Sequence, residues 1–216
     1  MGTVIFDLDG TLADTVGDIH SALDRVLIAE GRAPLPRDRV RNMVGLGGRA
    51  LLRLAWKAGG TDVDEQDIER LFDRFMVEYD ASPVLHTTLF PGCVQALDRL
   101  SHHALAVATN KPFGPAVRVL KAMGVHDRFR VILGGDSLPT RKPDPLMLRT
   151  IRGELPGPAV LVGDSGTDAK AAENAGIPLI FVRWGYPGPD GLPEPGPFDV
   201  DSFDQVPDRV EQALRL

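Results

Sequence analysis

A single cysteine, Cys93, occurs in the 216 residues. It cannot form an internal disulfide or build a thiolate zinc site, so a reducing cytoplasm is the expected compartment. Basic residues are outnumbered, 24 against 30 acidic, and the net charge of −6 argues against a nucleic-acid partner, which needs a basic face. No apolar run approaches the roughly 18 residues that a membrane-spanning helix requires, so no membrane partner is expected. The chain starts directly on an apolar stretch, without the basic region of a secretory leader. Gly2 is not part of a myristoylation motif, because Phe6 stands where Ser or Thr is needed. Glutamate is scarce as well, with 8 residues against 22 aspartates. Aspartate is a poor helix former but a good cap and a short ligand arm. The excess therefore points to turns, helix starts or a metal site.

What is present is an ordinary globular balance, 43% hydrophobic and 25% charged, on a length that allows one large domain carrying an insertion. Short apolar runs at 3–6, 105–108, 130–133, 159–162 and 179–182 alternate with amphipathic segments at 93–100, 115–123, 145–152 and 168–175. That rhythm predicts an α/β fold, a Rossmann-like doubly wound parallel sheet with helices on both faces. Gly124 and Gly176 stand where helix C-termini are expected. Residues 16–82 break the rhythm. Ile19, Leu23, Val26 and Leu27, then Leu51, Leu54 and Ala55, then Ile68, Leu71, Phe72, Phe75 and Met76 repeat at spacings of three and four, with no strand between them. This predicts an inserted all-helical domain, 16–82, within an α/β core formed by 1–15 and 83–216. The expected hinges are 13–15 and 81–90, the latter containing Ser82 and Pro83. Residues 185–197 hold five prolines and four glycines and predict a surface loop. An edge strand at 198–203 and a last helix at 206–214 complete the expectation.

Polar residues follow the predicted strands in turn: Asp7 and Asp9; Thr109, Asn110 and Lys111; Gly134-Gly135-Asp136 leading to Lys142-Pro143; and Gly163-Asp164-Ser165 with Asp168. Open α/β sheets bind ligands at that carboxyl edge. Carboxylates, a lysine and hydroxyls on one rim suit an anionic substrate held with a hard cation. Each piece has a plainer reading. Asp7-Leu8-Asp9-Gly10 alone is a turn, and it is no EF-hand, since Leu12 stands at the sixth position where glycine is required. Gly45-Leu46-Gly47-Gly48-Arg49-Ala50 fits a dinucleotide pattern, but no buried strand precedes it. The five histidines show no metal-ligand spacing and read as surface or packing residues, and Cys93 as a small core residue. Lys142 could be a solvated lysine; only five of the 24 basic residues are lysine, however, and this one follows a strand in Lys-Pro-Asp-Pro. Asp168 could be a helix N-cap acid, a role compatible with a second one in the site.

Order and position together resemble the haloacid dehalogenase superfamily of phosphohydrolases over nearly the whole chain. The matching motifs are Phe6-Asp7-Leu8-Asp9-Gly10-Thr11-Leu12, Thr109-Asn110, Lys142-Pro143, and Gly163-Asp164-Ser165-Gly166-Thr167-Asp168. The helical insertion is then similar to the family's cap. The second acid, Asp9, marks phosphatases and mutases rather than dehalogenases. The resemblance implies that Asp7 is the nucleophile and Asp9 the general acid–base. It implies that Thr109, Lys142, Thr11 and Asn110 hold the phosphate, with backbone N–H groups near Leu8 and Asn110. Mg²⁺ would be held by Asp7, Asp164 and the carbonyl of Asp9, with Asp168 orienting Lys142 or a metal-bound water.

Within the superfamily the chain is similar to the phosphoglycolate phosphatases in residues 40–52, in Thr109-Asn110-Lys111-Pro112, and in Gly134-Gly135-Asp136-Ser137-Leu138-Pro139 running into Lys142-Pro143. Gly185-Tyr186 is also in place. The partner implied is a small phosphorylated metabolite carrying a carboxylate, with Gly47, Gly48 and Arg49 expected to read that carboxylate. A helix–helix turn with Arg49 in solvent is the plainer alternative. A sugar-phosphate phosphatase, a phosphomutase and a silent phosphate-binding protein remain open on the sequence, as does the choice between monomer and homodimer.

Overall fold

The structure, a computed structural model, describes residues 1–81, 84–189 and 191–215. In chain order its elements are β1 (Thr3–Phe6), β2 (Ala13–Asp14), α1 (Val16–Ala29), α2 (Arg37–Arg41), α3 (Gly48–Ala58), α4 (Glu65–Ala81), β3 (Thr88–Leu89), α5 (Cys93–Arg99), β4 (Ala104–Ala108), α6 (Phe113–Ala122), β5 (Val131–Leu133), α7 (Leu146–Glu154), β6 (Ala159–Gly163), α8 (Gly166–Ala175), β7 (Leu179–Phe181) and α9 (Val206–Ala213). Every residue of β1, β4 and β6 is buried, as continuous apolar strands of a two-sided sheet must be. These strands form the middle of a parallel sheet ordered β5-β4-β1-β6-β7.

Alternation along β1 splits the core into two layers. Val4 and Phe6 pack with Leu97 of α5, Val119 of α6 and Val210 of α9. Ile5 packs with Met147 and Leu148 of α7 and Ala171 and Ala172 of α8. The sheet is therefore wound on both faces, and all its strands end at one edge. α8 starts in a capping box between Ser165 and Asp168 and stops on Gly176 in the left-handed conformation.

The helices α1 to α4 build a separate core around Leu23, Val26, Leu52, Ile68 and Leu71, joined by Tyr186 from beyond β7. Truncating one such buried side chain costs about 2–5 kcal/mol in typical cores, so this layer is a folded unit rather than a loop. Strands β2 and β3 pair antiparallel, Ala13 with Leu89 and Asp14 with Thr88, and so tie the chain entering the cap to the chain leaving it. Asp18, buried in the first turn of α1, accepts from the backbone N–H groups of His86 and Thr87, both at 3.0 Å, and from the Thr87 hydroxyl at 2.6 Å.

Two features differ from the sequence expectation. The β2–β3 ribbon was not foreseen, because two-residue strands carry no periodic pattern. Residues 198–203 form no edge strand: Val200 alone bridges to Val182, with Val200 N on Phe181 O and Arg183 N on Val200 O at 2.9 Å each. The chain then tightens into a single turn, Phe203–Gln205, that buries Phe203. Ser82 and Pro83, placed in the second hinge, lie outside the described residues, as does Asp190 of the proline-rich loop. Among the described residues no helix is long and apolar enough to cross a membrane.

Candidate active site

Asp7 continues the line of β1, its N–H donating to Val162 O of β6 at 2.9 Å. The chain then curls, and Leu8 O accepts from the N–H groups of Thr11, Leu12 and Ala13. Gly10 permits the curl: its φ is +90°, and a Cβ there would lie 2.2 Å from Asp164 Oδ2. Thr109, Asn110 and Lys111 follow β4, Lys142 lies beyond β5, and Asp164 follows β6. Four segments thus converge on the sheet's carboxyl edge.

Lys142 is buried between two carboxylates, with Nζ 2.6 Å from Asp168 Oδ1 and 2.9 Å from Asp7 Oδ1. Its hydrogen bond goes to Asp168, while Asp7 Oδ1 is buried and receives no hydrogen bond. Burial opposes the Lys142 charge, but the two carboxylates outweigh it and hold the ammonium above the ordinary lysine range. Asp168 also accepts from Ser165 N and Oγ, so it serves as capping acid and lysine partner at once. Lys111, equally buried, donates to Asp9 Oδ1 at 3.0 Å, and its Nζ sits 4.7 Å from the ring centre of Tyr79 on α4. Thr15 Oγ1 donates to the same Asp9 oxygen at 2.7 Å.

Asp7 and Asp168 face the ammonium group of Lys142 and Asp9 that of Lys111, while Asp164 stands beside Asp7 and Asp168. Burial first, then the neighbouring carboxylates, push Asp7 up to about 6 and raise Asp164 well above the usual aspartate range. Carboxylate oxygens of Asp7, Asp164 and Asp168 lie within 4.8 Å of one another. A cluster of carboxylate oxygens, with two of its carboxyl groups held above their ordinary range by burial and mutual repulsion, fits a hard divalent cation.

The structure redistributes three of the residues expected to hold substrate. Thr11 is fully buried and donates to Asp164 Oδ1 at 2.6 Å, so it orients a carboxylate instead of touching the pocket. Asn110 lines the pocket but uses its amide N–H groups on Gly45 O of the cap and Lys142 O of the core, both at 2.9 Å. Arg49 does not turn toward Asp7. Its fork grips Glu69 of α4 through two bonds of 2.6 Å and lies 3.9 Å over the Phe72 ring. Gly47 and Gly48 do border the pocket over Asp7 and Asp9, beside Leu51, Phe75 and Met76. Thr109 lines it from below.

Two contributors were missed as such. Lys111 stood in a motif without a role, and only the fold shows it buried against Asp9. Tyr186 donates its backbone N–H to Asp164 Oδ2 at 2.7 Å, while its hydroxyl donates to Asp14 and accepts from Thr15 N and Val16 N. Of the histidines, the exposed His102 and the buried His103 meet on Glu211 Oε1 at 2.9 Å each. They make a poor metal site. Gly2 N–H donates to His103 Nδ1, which leaves the proton of a neutral ring on Nε2, the atom that would have to bind the metal.

Carboxylates and a lysine at the carboxyl edge of a doubly wound sheet, under a helical roof, form the site of a capped, Rossmann-like enzyme. The family profile described as haloacid dehalogenase-like hydrolase matches residues 4–182. The phosphoglycolate phosphatase of Rhodobacter capsulatus is 39% identical over 213 residues, covering 96% of each chain. That of Cereibacter sphaeroides (strain ATCC 17025 / ATH 2.4.3) is 38% identical over 220 residues, covering 99% of this chain and 100% of its own. The crystal structure of a predicted phosphoglycolate phosphatase from Haemophilus somnus 129pt superposes with a TM-score of 0.86 at 26% identity, covering 97% of this chain and 96% of that one. The chain belongs to the haloacid dehalogenase-like hydrolases. It is a phosphatase, a hydrolase acting on phosphoric monoesters.

Proposed function

We propose that the protein hydrolyses 2-phosphoglycolate to glycolate and phosphate, with Mg²⁺, through an aspartyl-phosphate on Asp7. The observation that carries this reading is the pair Asp7 and Asp9 at the sheet edge, one against Lys142 and the other against Lys111, under an apolar roof. A carboxylate oxygen of Asp7 attacks phosphorus while the ester P–O bond breaks, and Asp9 gives its proton to the departing alkoxide. Asp9 then takes a proton from water as that water attacks phosphorus, which releases phosphate and restores Asp7. Lys142, the Thr109 hydroxyl and nearby backbone N–H groups hold the phosphoryl oxygens, where charge spreads in a loose transition state. Asp7, Asp164 and the Asp9 carbonyl would hold Mg²⁺, which when bound neutralises charge on the phosphate as the anionic nucleophile approaches.

The roof supports a short substrate over a sugar. Ile19, Leu51, Phe72, Phe75 and Met76 offer no hydrogen bonds to sugar hydroxyls, and a hydroxyl enclosed without a partner is strongly disfavoured. A single, unpaired cysteine fits a reducing cytoplasmic setting. The test is phosphate release from 2-phosphoglycolate, glucose 6-phosphate and pyrophosphate, with Mg²⁺ and after chelation. 2-Phosphoglycolate should have the highest kcat/KM, and chelation should stop turnover. A preference for the sugar phosphate would overturn the substrate assignment.

A further inference from the structure

We propose that Lys111 is the specificity-determining residue of this pocket, reading a carboxylate one methylene from the ester oxygen of the substrate. The inference rests on the function proposed above and names how the site would recognise that substrate class.

The pocket between core and cap has a charged floor and an apolar roof. Asp7, Asp9 and Thr109 border it below, and Ile19, Phe72 and Met76 above. A second anionic group on a substrate would enter this roofed space, where Ile19, Phe72 and Met76 offer it no charge or hydrogen bond, and an unpaired buried charge is very costly. Arg49 is spent on Glu69 and stacked on Phe72. Lys142 is held lower down between Asp7 and Asp168. Among the described residues that line the pocket, Lys111 is the one cation.

Its position also matches the geometry of the chemistry. Nζ of Lys111 is 3.0 Å from Asp9 Oδ1. Asp9 must reach the ester oxygen to protonate it, so an ammonium beside Asp9 lies beside whatever the ester oxygen carries. In 2-phosphoglycolate that is a methylene bearing the carboxylate. The Tyr79 ring, 4.7 Å from Nζ, backs the ammonium from the cap side. Lys111 therefore contacts the core acid and the cap at once, and a bound carboxylate would give the ammonium a second anionic partner.

The experiment compares 2-phosphoglycolate with ethyl phosphate, which has the same reacting end and no carboxylate, in wild type, Lys111→Met and Lys111→Arg. The readout is the ratio of the two kcat/KM values, because any effect of Lys111 on Asp9 touches both esters alike and cancels. Wild type should favour 2-phosphoglycolate. In Lys111→Met the ratio should fall by about 10- to 100-fold, the loss expected for one charge-assisted hydrogen bond. Most of that fall should be in KM for 2-phosphoglycolate. Lys111→Arg, which keeps the charge, should retain most of the preference, and it carries the test if the methionine variant does not fold. Arg141, half-buried at the neighbouring opening and without an ion pair or hydrogen bond among the described residues, is the control. A ratio unchanged in Lys111→Met, or abolished by Lys111→Arg as completely as by methionine, would overturn the assignment. So would a ratio that collapses in Arg141→Gln instead. A wild type with no preference for 2-phosphoglycolate would overturn the substrate reading first, and this assignment with it.

Discussion

Burial sets the behaviour of Asp7 before any substrate arrives. Its carboxyl titrates at about 6 in the folded protein against 3.8 for a free aspartate, with burial outweighing the attraction of Lys142. Above pH 6 the folded state carries a buried charge that the unfolded chain would hold in water, which lowers stability. As pH falls through 6 the folded state takes up a proton first, and the penalty is relieved by about pH 4. Asp7→Asn removes the charge, and Lys142 keeps Asp168. In metal-free buffer at pH 7.5 the variant should therefore melt above wild type, by on the order of a few degrees, and the gap should narrow toward pH 5. It should also release no phosphate. An asparagine variant that melts below wild type at pH 7.5 would show that the Lys142 attraction, not burial, dominates at this carboxylate. Residue types at the site were legible in the sequence; their partners were not. Arg49 was expected to face substrate because nothing in its neighbourhood of the chain reveals Glu69, twenty positions on and across α4. Lys111 acquires its meaning from Asp9, 102 positions away.

Among the elements, the hinge depends on a single carboxylate at the start of α1. Asp18 accepts from His86 N, Thr87 N and Thr87 Oγ1, with Leu85 N further off at 3.3 Å. Asp18→Asn would turn an amide NH₂ or a weaker acceptor toward these donors. We expect a loss of about 1–3 kcal/mol in urea unfolding, the cost of leaving buried donors unmet, together with faster proteolysis near residues 84–90. Unchanged unfolding and cleavage would mean that the β2–β3 ribbon alone fixes the cap. The order of strands and helices was readable because each long element repeats its apolar residues at a helix or strand period. Val16 to Tyr79 bury the positions that the three-and-four spacing picked out, such as Leu23, Leu51 and Ile68. The ribbon at Ala13–Asp14 and the single bridge at Val200 escaped, since pairing of one or two residues is decided by the surrounding fold and leaves no local pattern. Tyr186 was noted in sequence, yet its reach to Asp14, Thr15 and Asp164 comes from the long return of the chain after β7.

Across the whole molecule, core and cap meet in a seam that serves the chemistry. Asn110 reaches Gly45, Lys111 reaches Tyr79, and Arg41 of α2 donates to the carbonyls of Trp184 and Gly185. These contacts hold an apolar roof over the charged groups at the sheet edge. The claim that organises the molecule is that the phosphoryl group passes through Asp7. Its most direct measurement is an acid quench during turnover of the fastest monoester, radiolabelled in its phosphate, followed by peptide mapping of the denatured protein. Label on the peptide that contains Asp7, absent in Asp7→Asn, is the predicted result; wild-type protein turning over without label, or with label on a peptide lacking Asp7, would contradict it.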